Sequence, residues 1–394
     1  MIIFKEDTRA YKLVSLLCVV GEYPIASLKL LGSEKHYKRL IKEMSAKQTY
    51  HNSATGEKIT CVAISVLKSN HPTIRLKLKA IPLMEWVGGA ECWQETWGKH
   101  HWSGSKSTIE RHHRVAEATA MIMQAGIEYR PWKLPRLQTE EYRPDIVRDS
   151  SYYISKAFKV KDENDTKQIG FTRFTGVMVS PAECMTVYNA RESVMKWGKR
   201  GEGKARSDIH EYTKMCCRNG EIRKMVLMSD TFETTMETIL QTEKDETEDN
   251  RIRRYKKKQS RSSKSSITGL YRGVHFVPLN EFGIKQLKLL SIPDSRQRAL
   301  ELFYDEEELN YGKGEYFIDA YRNDKYIMSY LDGDVARLKQ FKESVENERK
   351  RGDIYDYAVL CFPEQKEYLK EYLWDGINLL TTNIDAVLQD LTEE

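Results

Sequence analysis

Between Thr8 and Val20 the apolar residues Tyr11, Val14, Leu17 and Cys18 recur at three- and four-residue steps, the spacing of one helix face. Gly21 ends that pattern. Pro24 then opens a second short helix over 24–31, because proline suits a first helical turn. After the break at Gly32, Ser33 can cap a third helix from Glu34 to about Lys47. Tyr37, Leu40, Ile41 and Met44 form its buried stripe, and Lys35, His36, Lys38, Arg39 and Lys42 occupy the other faces. The period then shortens to two. Residues 48–52 and 58–65 read as strands around Ser53-Ala54-Thr55-Gly56, a turn with glycine where positive φ is easiest. Three short helices and a hairpin predict a winged helix-turn-helix.

Further along, Ile74, Leu78 and Ile81 predict a helix over 72–86, interrupted at Pro82. Trp86, Trp93, Trp97 and Trp102 lie close together with His100 and His101, a set suited to core filling or to stacking on exposed bases. Ser107-Thr108-Ile109-Glu110 has the capping-box pattern and starts a helix that stops at Gly126. Within it His113 stands between Glu110 and Glu117, which reads either as a metal or proton-transfer site or as charge pairing on a solvated face. Beyond residue 150, strands at 152–160, 175–180, 184–189 and 225–229 alternate with helices at 205–217 and 231–240. A second alternating set has strands at 273–278, 316–321, 326–331 and 356–362, with helices at 282–290, 333–349 and 363–373. The predicted fold class is α+β: an N-terminal winged helix-turn-helix followed by a mixed α/β body. The predicted domains are 1–88, a helical connector 89–150, an α/β domain 151–240, a charged linker 241–267 and a second α/β domain 268–394.

Composition narrows the function. The 394 residues are 40% hydrophobic and 31% charged, and no apolar run approaches the roughly 20 residues that cross a bilayer. The N-terminus turns charged at Lys5-Glu6-Asp7 and the seven cysteines include no C-x-x-C, so a soluble cytoplasmic protein with reduced thiols is expected, without a membrane partner. The net charge of +5 is unevenly spread. Residues 1–80 carry fourteen Lys/Arg against six Asp/Glu, whereas 81–150 hold nine against ten. From Glu243 to Asp249 there are five acids and one lysine, followed by the basic run from Arg251 to Lys258. Acid followed by base without apolar residues reads as an exposed linker, either a solvated spacer or a tail that contacts phosphate.

The basic third helix carries the functional reading. A helix fits the major groove, its cations reach phosphates and base edges, and the wing touches the neighbouring backbone. The expected DNA-binding residues are therefore Lys35, His36, Lys38, Arg39 and Lys42, with Thr55 and Lys58 in the wing. The glycine–lysine run at 195–204 reads as a phosphate-holding or solvated loop, but it lacks the spacing of a nucleotide P-loop. Asp319, Asp324, Asp332 and Asp334 read as turn residues with the alternative of a carboxylate cluster. No metal, cofactor or catalytic residue is assigned. A homodimer is left open, since no heptad run announces one.

The winged pattern over 8–65, the run His113-Arg114-Val115-Ala116-Glu117-Ala118 and the triplet Arg143-Pro144-Asp145 together resemble the replication-relaxation family of plasmids and integrative elements. The resemblance implies a role in plasmid replication and relaxation, with a body similar to a degenerate nuclease fold after Arg-Pro-Asp. No Glu-x-Asp or Glu-x-Lys follows on the next predicted strands. The expected function is recognition of double-stranded DNA for plasmid replication, mobilisation or transcriptional regulation. The alternative is a nuclease or relaxase-like enzyme acting on plasmid DNA.

Overall fold

The computed structural model describes residues 1–68, 70–98, 105–130, 147–159, 172–195, 197, 199–214, 217–256, 266–310, 317–352 and 355–393. The chain divides into two compact units, one of residues 1–135 with 151–162, the other of 136–150 with 163–394. The expected division at residue 88 falls inside the first unit, and those at 240 and 267 fall inside the second.

In the first unit, β1 (Ile2–Phe4) precedes α1 (Arg9–Val20), whose start is capped by the Thr8 hydroxyl accepting from the Tyr11 N–H at 3.3 Å. Every residue from Leu13 to Val20 is buried, so α1 is the central helix of this unit. Gly21 has φ +76°, and a Cβ there would stand 2.5 Å from Trp97 Cδ2. Only glycine lets the chain turn under that indole, whose Nε1 donates to the Val19 carbonyl at 2.9 Å. Trp93 and Trp97 are core residues, while Trp102, His100 and His101 lie outside the described residues.

After β2 (Glu22–Pro24) the expected second helix is a 3-10 segment, Ile25–Leu31. α2 (Glu34–Met44) follows, burying Tyr37, Ile41 and Met44, with Leu40 only half-buried. The hairpin forms with a shorter second strand than expected: β3 (Gln48–Asn52) is antiparallel to β4 (Lys58–Cys61), residues 64–65 of the expected strand belong to a separate sheet, and β1 adds to the hairpin in parallel with Ile2 opposite Tyr50. The helix expected over 72–86 is not continuous. β5 (Ile64–Leu67) pairs with β6 (Thr73–Leu76), and β6 also pairs with β2. Ile74 fits a helix stripe with Leu78 and Ile81 but also a strand's alternation with Leu76, and two available partner edges decide for the strand. The helical part of that segment, α3 (Ile81–Trp86), has Pro82 in its first turn. Then come α4 (Ala90–Thr96), α5 (Lys106–Gln124) and β7 (Ser151–Ile154). His113 and Glu117 of α5 are buried, not on a solvated face, and Glu117 accepts a hydrogen bond from the Ser27 hydroxyl.

The second unit is built on two mixed, mostly parallel sheets. β8 (Gly176–Val179) runs antiparallel to β9 (Glu183–Arg191), which is parallel to β10 (Asn219–Ser229), itself parallel to β11 (Gly273–Pro278). Runs such as Met225-Val226-Leu227-Met228 are apolar at consecutive positions because parallel strands are covered on both faces. α6 (Lys199–Thr213) precedes β10, and α7 (Phe232–Lys256) and α8 (Ile267–Leu270) lie between β10 and β11. Of the glycine–lysine run, residues 196 and 198 lie outside the described residues. Its residues 199–204 form the start of α6, anchored by Glu202, which accepts from Thr172, Tyr188 and the Arg173 N–H at 2.7, 2.9 and 2.7 Å.

The charged linker is likewise helical through Lys256, while residues 257–265 lie outside the described residues. Glu243 and Glu246 have partners. Lys339 donates to Glu243 at 2.7 Å, Thr268 donates to the same carboxylate at 2.8 Å, and the Ser266 N–H donates to Glu246 at 3.1 Å. Acid–base contacts with the body order a segment that has little apolar surface to bury.

The rest of the unit follows as α9 (Glu281–Ser291), α10 (Ser295–Glu301), β12 (Ala320–Arg322), β13 (Lys325–Ser329), α11 (Val335–Arg351), β14 (Asp356–Cys361), α12 (Lys366–Tyr372), β15 (Asn378–Thr381) and α13 (Ile384–Glu393). β13, β14 and β15 are parallel, with β12 antiparallel to β13. The turn after β13 lies along β11, where the Phe276 N–H donates to the Gly333 carbonyl at 2.9 Å. Gly333 has φ +70°, and a Cβ there would stand 2.8 Å from the Phe276 carbonyl oxygen. Among the described residues no helix is long and apolar enough to cross a membrane.

Candidate functional site

Helix α2 sorts its residues by face. At about 100° per residue, Lys35, Lys38, Arg39 and Lys42 fall within an arc of about 100°, opposite Tyr37, Ile41 and Met44. All four cations are exposed, as is His36 at the edge of the arc. Burial of the apolar stripe therefore turns the basic stripe toward water. Two of the cations have acidic neighbours on the same helix: Lys38 meets Glu34 at 2.6 Å and Arg39 meets Glu43 at 2.9 Å. Such exposed i,i+4 pairs contribute about 0.3–0.5 kcal/mol each and exchange readily for another anion. Lys35 and Lys42 make no ion pair among the described residues.

The hairpin is tied to the end of α2 by the Ala63 N–H, which donates to the Met44 carbonyl at 3.1 Å. Its turn is built by Asn52, whose side-chain oxygen accepts from the Ala54 N–H at 2.9 Å, and by Gly56 at φ +76°. Thr55 and Lys58 are exposed at this tip, as expected. Thr55 bonds within the turn, donating to Glu57 at 3.1 Å, and Glu57 also accepts from Trp86 Nε1 at 2.9 Å. Glu57 thus sets a negative charge beside Lys58.

A groove of about 690 Å³ runs between α2 and the start of α1. Arg9 and Lys12 of α1 line it together with His36 and Arg39, against Asp7 and Glu43. Arg9 and Lys12 extend the basic surface and were missed, although their three-residue spacing on the polar side of the first helix was legible. Burial pushes the Tyr37 phenol, at the groove floor, above its ordinary range, and Arg9 pulls it the other way.

Of the four aspartates singled out in the second unit, Asp332 and Asp334 come together, with His275 of β11 beside them. Asp319 instead accepts from Arg337, at 2.9 and 3.0 Å, and from the Ser329 N–H at 2.7 Å, and Asp324 accepts from Tyr321 at 2.9 Å on the surface. Asp145 and the Arg-Pro-Asp triplet lie outside the described residues. Comparison of the chain with protein-family models, with curated proteins and with solved structures gives no match.

Proposed function

We propose that the first unit is a winged helix-turn-helix that binds double-stranded DNA, with α2 entering the major groove and the β3–β4 hairpin acting as the wing. The observation that carries this reading is the solvent-facing stripe of Lys35, Lys38, Arg39 and Lys42 on a helix whose opposite face is buried. Such a helix is held rigidly from behind and offers its cations without rearrangement, which keeps the ordering cost of binding low. Arg9 and Lys12 add positive charge along the adjoining groove, where a phosphate backbone would run. The biological setting we infer is a mobile genetic element of the replication-relaxation type, in which the chain recognises an origin or promoter.

The test is fluorescence anisotropy of the full chain with a labelled duplex. Reversing Lys35 and Lys42 to Glu is expected to weaken binding at least about tenfold, since both contacts and their counterion release are lost. Unchanged affinity in that double variant would overturn the reading.

A further inference from the structure

We propose that His275, Asp332 and Asp334 in the second unit form a site for one divalent transition cation, Mn²⁺ or Zn²⁺. One candidate ligand atom from each residue lies within 4.8 Å of the other two, and all three residues are buried. β11 supplies His275, the turn after β13 supplies Asp332, and Asp334 caps α11. The bonds along β11 hold these elements in register, with the Val274 N–H donating to Asp334 Oδ1 at 3.1 Å.

Carboxylates at a helix start are ordinary by themselves; the histidine makes the difference. His275 Nδ1 lies 3.0 Å from the Asp332 carbonyl oxygen. That oxygen can only accept, so in the neutral ring the proton sits on Nδ1 and the lone pair on Nε2. Fixing the tautomer by a backbone carbonyl is how metal-binding imidazoles are commonly oriented. Nε2 is buried and has no hydrogen-bond partner among the described residues, although the residue is only 1% exposed. An orphaned acceptor at that depth is costly unless something binds it.

Gly273 keeps the space open. A Cβ on it would lie 3.3 Å from His275 Nε2 and 3.3 Å from Asp334 Oδ2, so both atoms border the same gap. Gly273 is not among the glycines with positive φ, which leaves room rather than backbone conformation as its contribution here. Asp334 Oδ1 is occupied by the N–H groups of Val274, Ala336 and Arg337, at 3.1, 3.1 and 3.3 Å, and Oδ2 is the atom that faces the gap.

Local charge also fits a cation. Lys224 is paired with Glu183 at 2.7 Å, and Arg337 is paired with Asp319. Arg296 forms an ion pair with Asp332 at 3.7 Å, whereas Asp334, whose Oδ2 borders the gap beside Nε2, makes no ion pair among the described residues. One imidazole and two carboxylates without a thiolate suit a first-row divalent ion of intermediate hardness. Bond lengths of about 2.0–2.2 Å to each donor would draw the three atoms closer by small side-chain rotations. A recess of about 130 Å³, lined by His275, Asp332, Lys224 and Arg296 among others, supplies an entry path.

The experiment is Mn²⁺ binding to the full chain after chelator dialysis, followed by electron paramagnetic resonance, with Zn²⁺ as competitor. The result expected is one site per chain that Zn²⁺ displaces. Gly273→Ala fills the gap with one methyl, and Asp334→Asn keeps an oxygen for the helix cap; each should weaken Mn²⁺ binding at least about tenfold. Should either variant misfold, the wild-type imidazole decides: Zn²⁺ must shift the His275 Nε2 resonance in a long-range ¹H–¹⁵N spectrum. Absence of wild-type binding at about 1 mM ion, affinity unchanged in both folded variants, or a His275 resonance that ignores Zn²⁺ would each overturn the proposal.

Discussion

On α2, Lys35, Lys38, Arg39 and Lys42 stand in water, and their acidic neighbours are other exposed side chains of the same helix. Around β11 and α11, by contrast, Arg337 is wholly buried, bonds Asp319 with one nitrogen and reaches the Ser329 carbonyl with another at 3.3 Å. The difference lies in solvation. A surface cation costs little to keep, contributes little to folding and remains available to a polyanion, but salt screens it. A buried ion is expensive to desolvate, and its partner cannot be removed without leaving a charge stranded. One region presents its charges to solvent. The other holds charges in fixed geometry.

The sharpest way to break this contrast is Asp319→Ala, which strands Arg337. It is expected to destabilise the second unit by about 3–5 kcal/mol in urea unfolding, and a loss under about 1 kcal/mol would mean that Arg337 is solvated after all. Next in size is Gly333→Ala. Its Cβ would meet the Phe276 carbonyl at 2.8 Å from a backbone at φ +70°, so about 2–4 kcal/mol is expected by the same measurement.

A smaller effect concerns Lys156 in the first unit, whose ammonium lies 3.7 Å over the Trp97 ring and donates to the Thr96 carbonyl at 2.7 Å. Burial lowers its pKa from 10.5 to about 8. Between those values the unfolded chain binds more protons than the folded one, so the cost of the buried charge is lifted as pH rises through that window. The stability difference between wild type and Lys156→Met should therefore move in favour of wild type by roughly 1–2 kcal/mol from pH 8 to 10.5, allowing for solvent screening. A difference that stays flat, or falls, would contradict the assignment. Smallest of all, Lys35→Glu with Lys42→Glu should leave unfolding within about 0.5 kcal/mol of wild type, separating its effect on DNA from any effect on folding.

Much of the fold was legible where local periodicity and burial agree. α1, α2, the apolar strands β11 and β14, and α11 lie close to where their patterns predict, while β10 starts six residues before its expected strand and β4 ends four residues before its own. The losses came where a distant partner decides. β6 looked helical until β2 and β5 offered it two edges, and β1 owes its strand to pairing with β3. The stretch of α7 around Glu243 and Glu246 looked like a linker because its contacts are polar, from Lys339, Thr268 and Ser266. For the candidate sites the split is similar. The basic stripe of α2 is a one-helix pattern and was readable. The pairing of Asp332 with Asp334 was readable, but the His275 centre adds a histidine 57 positions before Asp332 and rests on a gap beside a glycine, which no spacing encodes.

The account stands on duplex contact through α2, and the salt dependence of binding by the full chain tests it most directly. Six to ten phosphate contacts predict that affinity falls by about 10³–10⁵ between roughly 50 and 200 mM salt, on a straight line of log Kd against log salt. Affinity that hardly changes over that range would contradict it.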